Sequence, residues 1–214
     1  TAPIQMARAF ATFPNQGKEV TPIGIRYIED RSGKIILEPE RELRANQKRE
    51  GERLQIMTPQ AAYVMVDMLK STVDFGTLAN RRRLVGGFPM PFAGKTGTTQ
   101  NWSDAWTVGF SPYMTTAVWF GFDMPGNSLG LNQTGAQAAG PIWAKYMKDI
   151  HVSDPELVPT DFRRPGGLVE LSVCSVSGML PSEYCTDGTR TELFIAGSEP
   201  RKFCTFHEFK AERN

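Results

Sequence analysis

Lys95, Thr96, Gly97 and Thr98 carry an ammonium, two hydroxyls and a bare backbone position in four consecutive residues. The run around them, Ala93 to Thr99, lies among good strand formers and reads as a strand built to hold a carboxylate. Strand alternation puts Thr96 and Thr98 on one face, and Gly97 between them lets another backbone approach closely. Gly94-Lys95-Thr96 could instead close a phosphate-binding P-loop. That motif needs a glycine five residues before Gly94, where this chain has Pro89, and a helix immediately afterwards. Gly97-Thr98-Thr99-Gln100-Asn101-Trp102 does not nucleate a helix, so the phosphate reading fails on both counts.

Few other residues offer chemistry. No serine is followed three positions later by lysine, the one-turn spacing that would bring an amine against a nucleophilic hydroxyl. Nor is any serine followed two positions later by asparagine. Paired carboxylates at helical spacing are absent near the Lys95 segment, and Asp104 is expected to fix the loop after it through hydrogen bonds. Cys174, Cys185, Cys204 and His207 make a Cys3His set acceptable to zinc. Within it only Cys204-x-x-His207 has a typical ligand spacing; the stretch from Cys174 to Cys185 is not a knuckle. Structural roles are expected for His207 and for His151, whose imidazole at a helix end would favour the dipole.

The elements that must position these groups follow from periodicity. Ile4, Ala7 and Ala11, beside Met6, Phe10 and Phe13, predict a helix over 1–13 that stops at Asn15-Gln16-Gly17. Ile23 to Ile28 and Lys34 to Leu37, joined by Glu29-Asp30-Arg31-Ser32-Gly33, predict a hairpin. Residues 38–55 are charged and poorly periodic, a solvated connection with room for a short helix. Thr58 as N-cap and Pro59 at the first turn open a further helix, with Ala62, Val66, Leu69 and Val73 as its buried stripe and Gly76 as its end. Strands are expected at Lys95, at Ala105 to Phe110 and at Thr115 to Phe122, the last two joined by a turn at Ser111-Pro112-Tyr113. A third helix is expected over 135–150, its face marked by Ala139, Trp143, Tyr146 and Ile150. Beyond it Pro155, Pro159, Pro165, Gly166 and Gly167 read as a linker, which gives a division into 1–152 and 153–214.

Bulk properties exclude several classes. The 214 residues are 40% hydrophobic and 22% charged, ordinary for a globular chain that buries a core. A net charge of +1 carries no sign bias toward nucleic acid, and Arg81-Arg82-Arg83 beside Gly86 and Gly87 reads as a solvated loop. The most apolar run, around Val118-Trp119-Phe120, is too short to span a bilayer, and no secretory signal opens the chain. Any anchor would lie outside this sequence.

Taken together, the blocks resemble the C-terminal part of the transpeptidase domain of class A, bifunctional penicillin-binding proteins. The resemblance runs through Ala2-Pro3-Ile4-Gln5-Met6-Ala7, Asn15-Gln16-Gly17, Gly76-Thr77 and Ala93-Gly94-Lys95-Thr96-Gly97-Thr98-Thr99. It continues in Asp104-Ala105-Trp106, Val108-Gly109-Phe110, Ala117-Val118-Trp119, Gly121-Phe122-Asp123 and Pro141-Ile142-Trp143, in family order. The tail, from Cys174 through Ser177-Gly178 and Cys185 to Cys204-Thr205-Phe206-His207, is similar to an extension found in some members.

The resemblance implies an α+β fold: part of a penicillin-binding/β-lactamase-like domain, an antiparallel sheet with packed helices, followed by a small cysteine-containing tail. It also implies a serine DD-transpeptidase, acylated by β-lactams and needing no cofactor, that crosslinks peptidoglycan stem peptides on the extracytoplasmic side of a bacterial inner membrane. Carried over, Thr96 and Thr98 would bind the terminal carboxylate beside the Lys95 charge, Gly97 would let the peptide lie along the strand, and the Thr98 N–H would form half of the oxyanion hole. The Ser-x-x-Lys and Ser-x-Asn motifs lie N-terminal to this region in the family. The chain is therefore expected to be one half of a split catalytic domain, inactive alone and partnered by a segment that carries the serine, with an unpaired edge at the Thr115 to Phe122 strand. A non-catalytic module that binds peptidoglycan or a partner protein would also lack the serine. For the tail, the oxidising compartment implied by the family favours one disulfide plus a leftover thiol over zinc, the pairing left open.

Overall fold

The computed structural model describes residues 1–82, 89–124 and 126–207. It divides into two compact units, Thr1–Arg163 and Arg164–Asn214. The division therefore falls later than the one expected after residue 152. Residues 154–163 stay with the first unit because Phe162 is buried there, its ring 5.6 Å from that of Phe110.

The first unit opens with α1 (Pro3–Ala11), with proline in its first turn and the Ala2 N–H donating to Gln5 Oε1. Gly17 ends the approach to the next segment at φ +82, and a Cβ there would lie 2.2 Å from the Met57 carbonyl oxygen, so only glycine fits. The predicted hairpin forms as β1 (Ile28–Glu29) and β2 (Ile35–Leu37), shorter than the apolar pattern suggested and exposed throughout. In its turn Asp30 Oδ1 accepts from the Ser32 N–H, the Ser32 hydroxyl and the Lys34 N–H.

The largest departure from expectation comes next: α2 (Pro39–Glu50) fills most of the stretch read as a solvated connection. It buries no residue and so leaves no apolar period in the sequence. Charge pairing supports it instead, with Glu40 bridging Arg26 and Arg44 and Glu38 paired with Arg41. A 3-10 turn, Gly51–Leu54, leads on. In α3 (Pro59–Asp74) Thr58 Oγ1 caps the Ala61 N–H at 3.2 Å, and the buried residues are Ala62, Val66, Leu69 and Val73, as the period required. The short α4 (Ala79–Arg82) follows, so Arg81 and Arg82 have helical backbone; Arg83, Gly86 and Gly87 of the expected basic loop lie outside the described residues.

The central sheet is antiparallel, β3 (Ala93–Thr98), β4 (Ala105–Phe110) and β5 (Thr115–Phe120), in the order β3-β4-β5. β5 stops before the expected Phe122, and both outer strands are edges among the described residues. Lys95 pairs with Val108, Thr96 with Thr107, Gly97 with Trp106 and Thr98 with Ala105. A π-helical turn, Gly135–Ala139, leads into α5 (Gly140–Ser153). α5 buries Trp143, Ala144, Met147 and His151; Tyr146 and Ile150 do not belong to its buried face, and Tyr146 is 49% exposed. Trp143 lies directly on Gly109, where an added Cβ would meet the indole at 2.3 Å.

Two clusters make the core: Val73, Leu78, Met90, Phe92, Trp143, Ala144 and Met147, and Val66, Leu69, Ala93, Phe110 and Phe162 with Phe10 and Phe13 against them. His151 is a buried strut. Its Nδ1 is 2.6 Å from the Met147 carbonyl oxygen, which can only accept, and its Nε2 is 2.8 Å from Ser111 Oγ. Ser111 Oγ also accepts from the Tyr113 and Met114 N–H groups, which ties the imidazole to the turn after β4. The structural role expected for His151 holds through this network.

The second unit contains what the sequence showed only as a tail: an antiparallel hairpin of β6 (Leu168–Cys174) and β7 (Thr189–Ile195), paired along its full length. Among the described residues no helix is long and apolar enough to cross a membrane.

Candidate active site

Alternation along β3 separates the four key residues onto two faces. Lys95 and Gly97 share a face with Val108 and Trp106 across the register; Thr96 and Thr98 share the other with Thr107 and Ala105. The Lys95 face borders a cleft of about 600 Å³ whose walls include Met6, Phe10, Trp106, Val108, Trp119 and Phe122. Lys95 is exposed at its edge, with Nζ donating to the Thr96 carbonyl oxygen at 2.8 Å. The cleft combines these apolar walls with polar groups that include the Lys95 ammonium and the Asp104 and Asp123 carboxylates, the mixed lining of a ligand-sized site.

The two threonine hydroxyls are held from behind. Thr96 Oγ1 is 3.0 Å from Thr77 Oγ1, just beyond α3. Thr98 Oγ1 accepts from the Gly135 N–H at 3.0 Å, while Thr107 Oγ1 donates to the Gly135 carbonyl oxygen at 3.0 Å. The N–H and the C=O of one residue, Gly135, are thus held by threonines from two neighbouring strands. Accepting from Gly135 leaves the Thr98 hydroxyl its own proton to donate. Gly135 is needed for the close approach: a Cβ there would come within 2.2 Å of the Trp106 carbonyl oxygen and 2.5 Å of that of Gly97. At Gly97 itself an added Cβ would meet nothing nearer than Trp106 Cβ at 3.4 Å, so internal packing does not explain that glycine.

Asp104 fixes the loop after β3, as expected. It accepts from Thr99 Oγ1 at 3.1 Å and from Trp119 Nε1 at 2.9 Å, and its own N–H donates to Thr99 Oγ1 at 2.8 Å. The Trp119 ring thereby stands against Trp106, centroids 6.1 Å apart, as one wall of the cleft. Thr77, Thr107, Gly135 and the Trp106–Trp119 pair have supporting positions that periodicity did not reveal. Gly76-Thr77 and Trp106 stand in the resemblance blocks, which was the only signal for them.

The second unit brings Cys174, Cys185, Cys204 and His207 together, their ligand atoms all within 4.8 Å of one another. The cysteines are free thiols, so the disulfide expected there is not formed. The Ser177 hydroxyl brings the Cys204 thiol down to about 6, with His207 acting in the same direction against the opposing effect of burial. Hydrogen bonds to Cys204 and then to Asp187 raise His207.

Residues 1–148 match the family described as penicillin binding protein transpeptidase domain, and residues 164–209 match penicillin-binding protein 1A, C-terminal domain. Penicillin-binding protein 1A of Clostridium tetani is 35% identical over 97% of this chain, and that of Aquifex aeolicus 35% identical over 95%. Each alignment covers 25% of the relative, so the chain spans about a quarter of the length of these curated proteins. The crystal structure of penicillin-binding protein 1A from Haemophilus influenzae superposes with a TM-score of 0.76 at 25% identity, covering 95% of this chain and 33% of that one. Penicillin-binding protein PonA1 from Mycobacterium tuberculosis shares the fold, with a TM-score of 0.59 at 23% identity over 76% of this chain and 41% of that one.

Proposed function

This chain belongs to the penicillin-binding protein transpeptidase family, and from that premise we propose that β3 holds the D-Ala-D-Ala end of a peptidoglycan stem peptide in a DD-transpeptidase. The observation that carries the reading is the position of Lys95–Thr98 on an edge strand beside the apolar cleft. An extended peptide can add to such an edge through main-chain hydrogen bonds. Lys95 supplies positive potential for the terminal carboxylate, and the Thr96 and Thr98 hydroxyls reach it from the strand edge. Gly97, unexplained by internal packing, gives the peptide backbone room.

The chemistry is acyl transfer. A serine hydroxyl attacks the D-Ala-D-Ala carbonyl, D-alanine leaves, and an acceptor amine then takes the acyl group from the serine ester. A β-lactam enters by the same attack and opens its ring. The Thr98 N–H is one donor to the developing oxyanion, and the nucleophile's own N–H is the other. Removing one such donor costs on the order of 3 kcal/mol of transition-state stabilisation. The nucleophile comes from a Ser-x-x-Lys segment outside these residues, and the reaction takes place on the extracytoplasmic side of the membrane.

Labelling with a fluorescent penicillin followed by a denaturing gel tests this. The 214-residue polypeptide alone takes no covalent label, whereas a polypeptide joining it to a Ser-x-x-Lys segment does. In the joined protein Thr98→Pro, which removes the N–H, slows acylation roughly 10²–10³-fold. Label on the 214-residue chain alone, or unchanged acylation of the proline variant, overturns the reading. Peptidoglycan binding without acylation in any setting would instead identify a binding module.

A further inference from the structure

The second unit is too small to be held by its apolar core. Among its described residues only Val173, Cys174, Cys204 and His207 are buried, so one aliphatic side chain and a thiol–imidazole cluster form its centre. Units of roughly 50 residues ordinarily need disulfides or a metal to fold stably, and this one has no disulfide.

We propose that Cys174, Cys185, Cys204 and His207 bind one structural zinc ion as a tetrahedral Cys3His site.

The geometry has the right scale. Zinc–sulfur bonds of about 2.3 Å and zinc–nitrogen bonds of about 2.0 Å at tetrahedral angles put sulfur and nitrogen about 3.5 Å apart. His207 Nδ1 lies 3.3 Å from Cys204 Sγ and 3.7 Å from Cys174 Sγ. The other ring nitrogen is already engaged as a ligand histidine requires: Nε2 donates to Asp187 Oδ2 at 2.9 Å, which fixes the tautomer and turns the Nδ1 lone pair toward the sulfurs. Backbone amides also face the sulfurs, Ser177 N–H to Cys174 Sγ at 3.5 Å and Ser182 N–H to Cys185 Sγ at 3.3 Å. Such donors stabilise thiolates better than thiols. The fold therefore supplies through space the ligand spacing that the interval between Cys174 and Cys185 lacks in sequence.

Binding releases the thiol protons, with no electron transferred: three thiolates and a neutral imidazole surround Zn²⁺, and Asp187 takes the Nε2–H hydrogen bond. A disulfide would consume two sulfurs and leave the third thiol beside a buried imidazole with no ligand to meet.

The test uses the full 214-residue chain purified under reducing conditions. Elemental analysis should give one zinc per chain, and the metal-free chain titrated with Co²⁺ should develop the intense red-region absorption of tetrahedral thiolate coordination. Cys204→Ser should lower Zn²⁺ affinity at least ~100-fold, and Asp187→Asn ~10–100-fold with the tetrahedral cobalt spectrum retained. Chelation should abolish amide protection along β6 and β7 in the unsubstituted chain, a readout that stands even where Cys204→Ser does not fold. Metal-free preparations with intact β6–β7 protection, or a denatured thiol count showing two of the three cysteines oxidised, overturn the proposal.

Discussion

The Gly135 N and Thr98 Oγ1 are 3.0 Å apart, a hydrogen bond that ties the end of β3 to the start of the π-helical turn leading into α5. The Gly135 carbonyl oxygen accepts from Thr107 Oγ1 of β4. Residues 98 and 135 are thus coupled, so the exposed end of β3 cannot shift without the segment that begins at Gly135. Thr98→Val keeps the shape and removes the acceptor, leaving the Gly135 N–H unpaired. A loss of about 1–3 kcal/mol is expected in urea unfolding, with Thr98→Ser restoring most of it. Equal stability of the valine and serine variants would refute the coupling.

Gly135 and Gly97 should respond oppositely to alanine. Gly135→Ala forces a methyl to 2.2 Å from a backbone oxygen, and a loss of more than about 3 kcal/mol or failure to fold is expected. Gly97→Ala meets only Trp106 Cβ at 3.4 Å and should change stability by less than about 1 kcal/mol. If the proposed function holds, the same Gly97→Ala in the polypeptide joined to a Ser-x-x-Lys segment should slow penicillin acylation. Thermal melts of both variants together with acylation rates check the pair, and a Gly97→Ala variant that destabilises the isolated chain would show that its glycine serves packing.

Leu78 and Phe75 lie close in sequence and far apart in burial. Leu78 is 0% exposed within the core and Phe75 is 87% exposed. Leu78→Ala should cost about 2–5 kcal/mol and Phe75→Ala less than about 0.5 kcal/mol. A chemical-denaturation comparison decides it; similar losses would mean that Phe75 is covered in solution.

The Asp30 turn gives a pH dependence of known sign. Hydrogen bonds from the Ser32 side chain first, then from the Lys34 and Ser32 amides, hold the Asp30 carboxyl below the usual aspartate value. A group depressed on folding contributes stability that is fully present above its unfolded value near 3.9 and is lost as pH falls through the folded value. The Ser32 and Lys34 amide shifts should titrate below that unfolded value in an NMR pH series. Titration at or above it would refute the assignment.

How much could be read from the chain depended on whether a feature was local. Thr58-Pro59 and the stripe Ala62, Val66, Leu69, Val73 specify α3 by capping chemistry and helical period, and both hold in the structure. The β4 limits follow from a β-rich run closed by turn residues. α2 was hidden because its support is Glu–Arg pairing on an exposed helix, which leaves no apolar period. In α5 the buried face passes through Ala144, Met147 and His151 rather than Tyr146 and Ile150, after a π-helical entry that periodicity does not anticipate.

The sequence by itself determined the chemical identity of the Lys95–Thr98 strand and its family setting, because residue types and their order suffice for both. Tertiary structure decided what holds that strand: Thr77, Thr107 and Gly135 reach it from distant segments, and only folding brings them within hydrogen-bond distance. It also decided the tail. Cys174, Cys185, Cys204 and His207 have no recognisable joint spacing, since the chain between them runs through β7 and several turns. Ligation depends on distances through space, and these the fold alone sets.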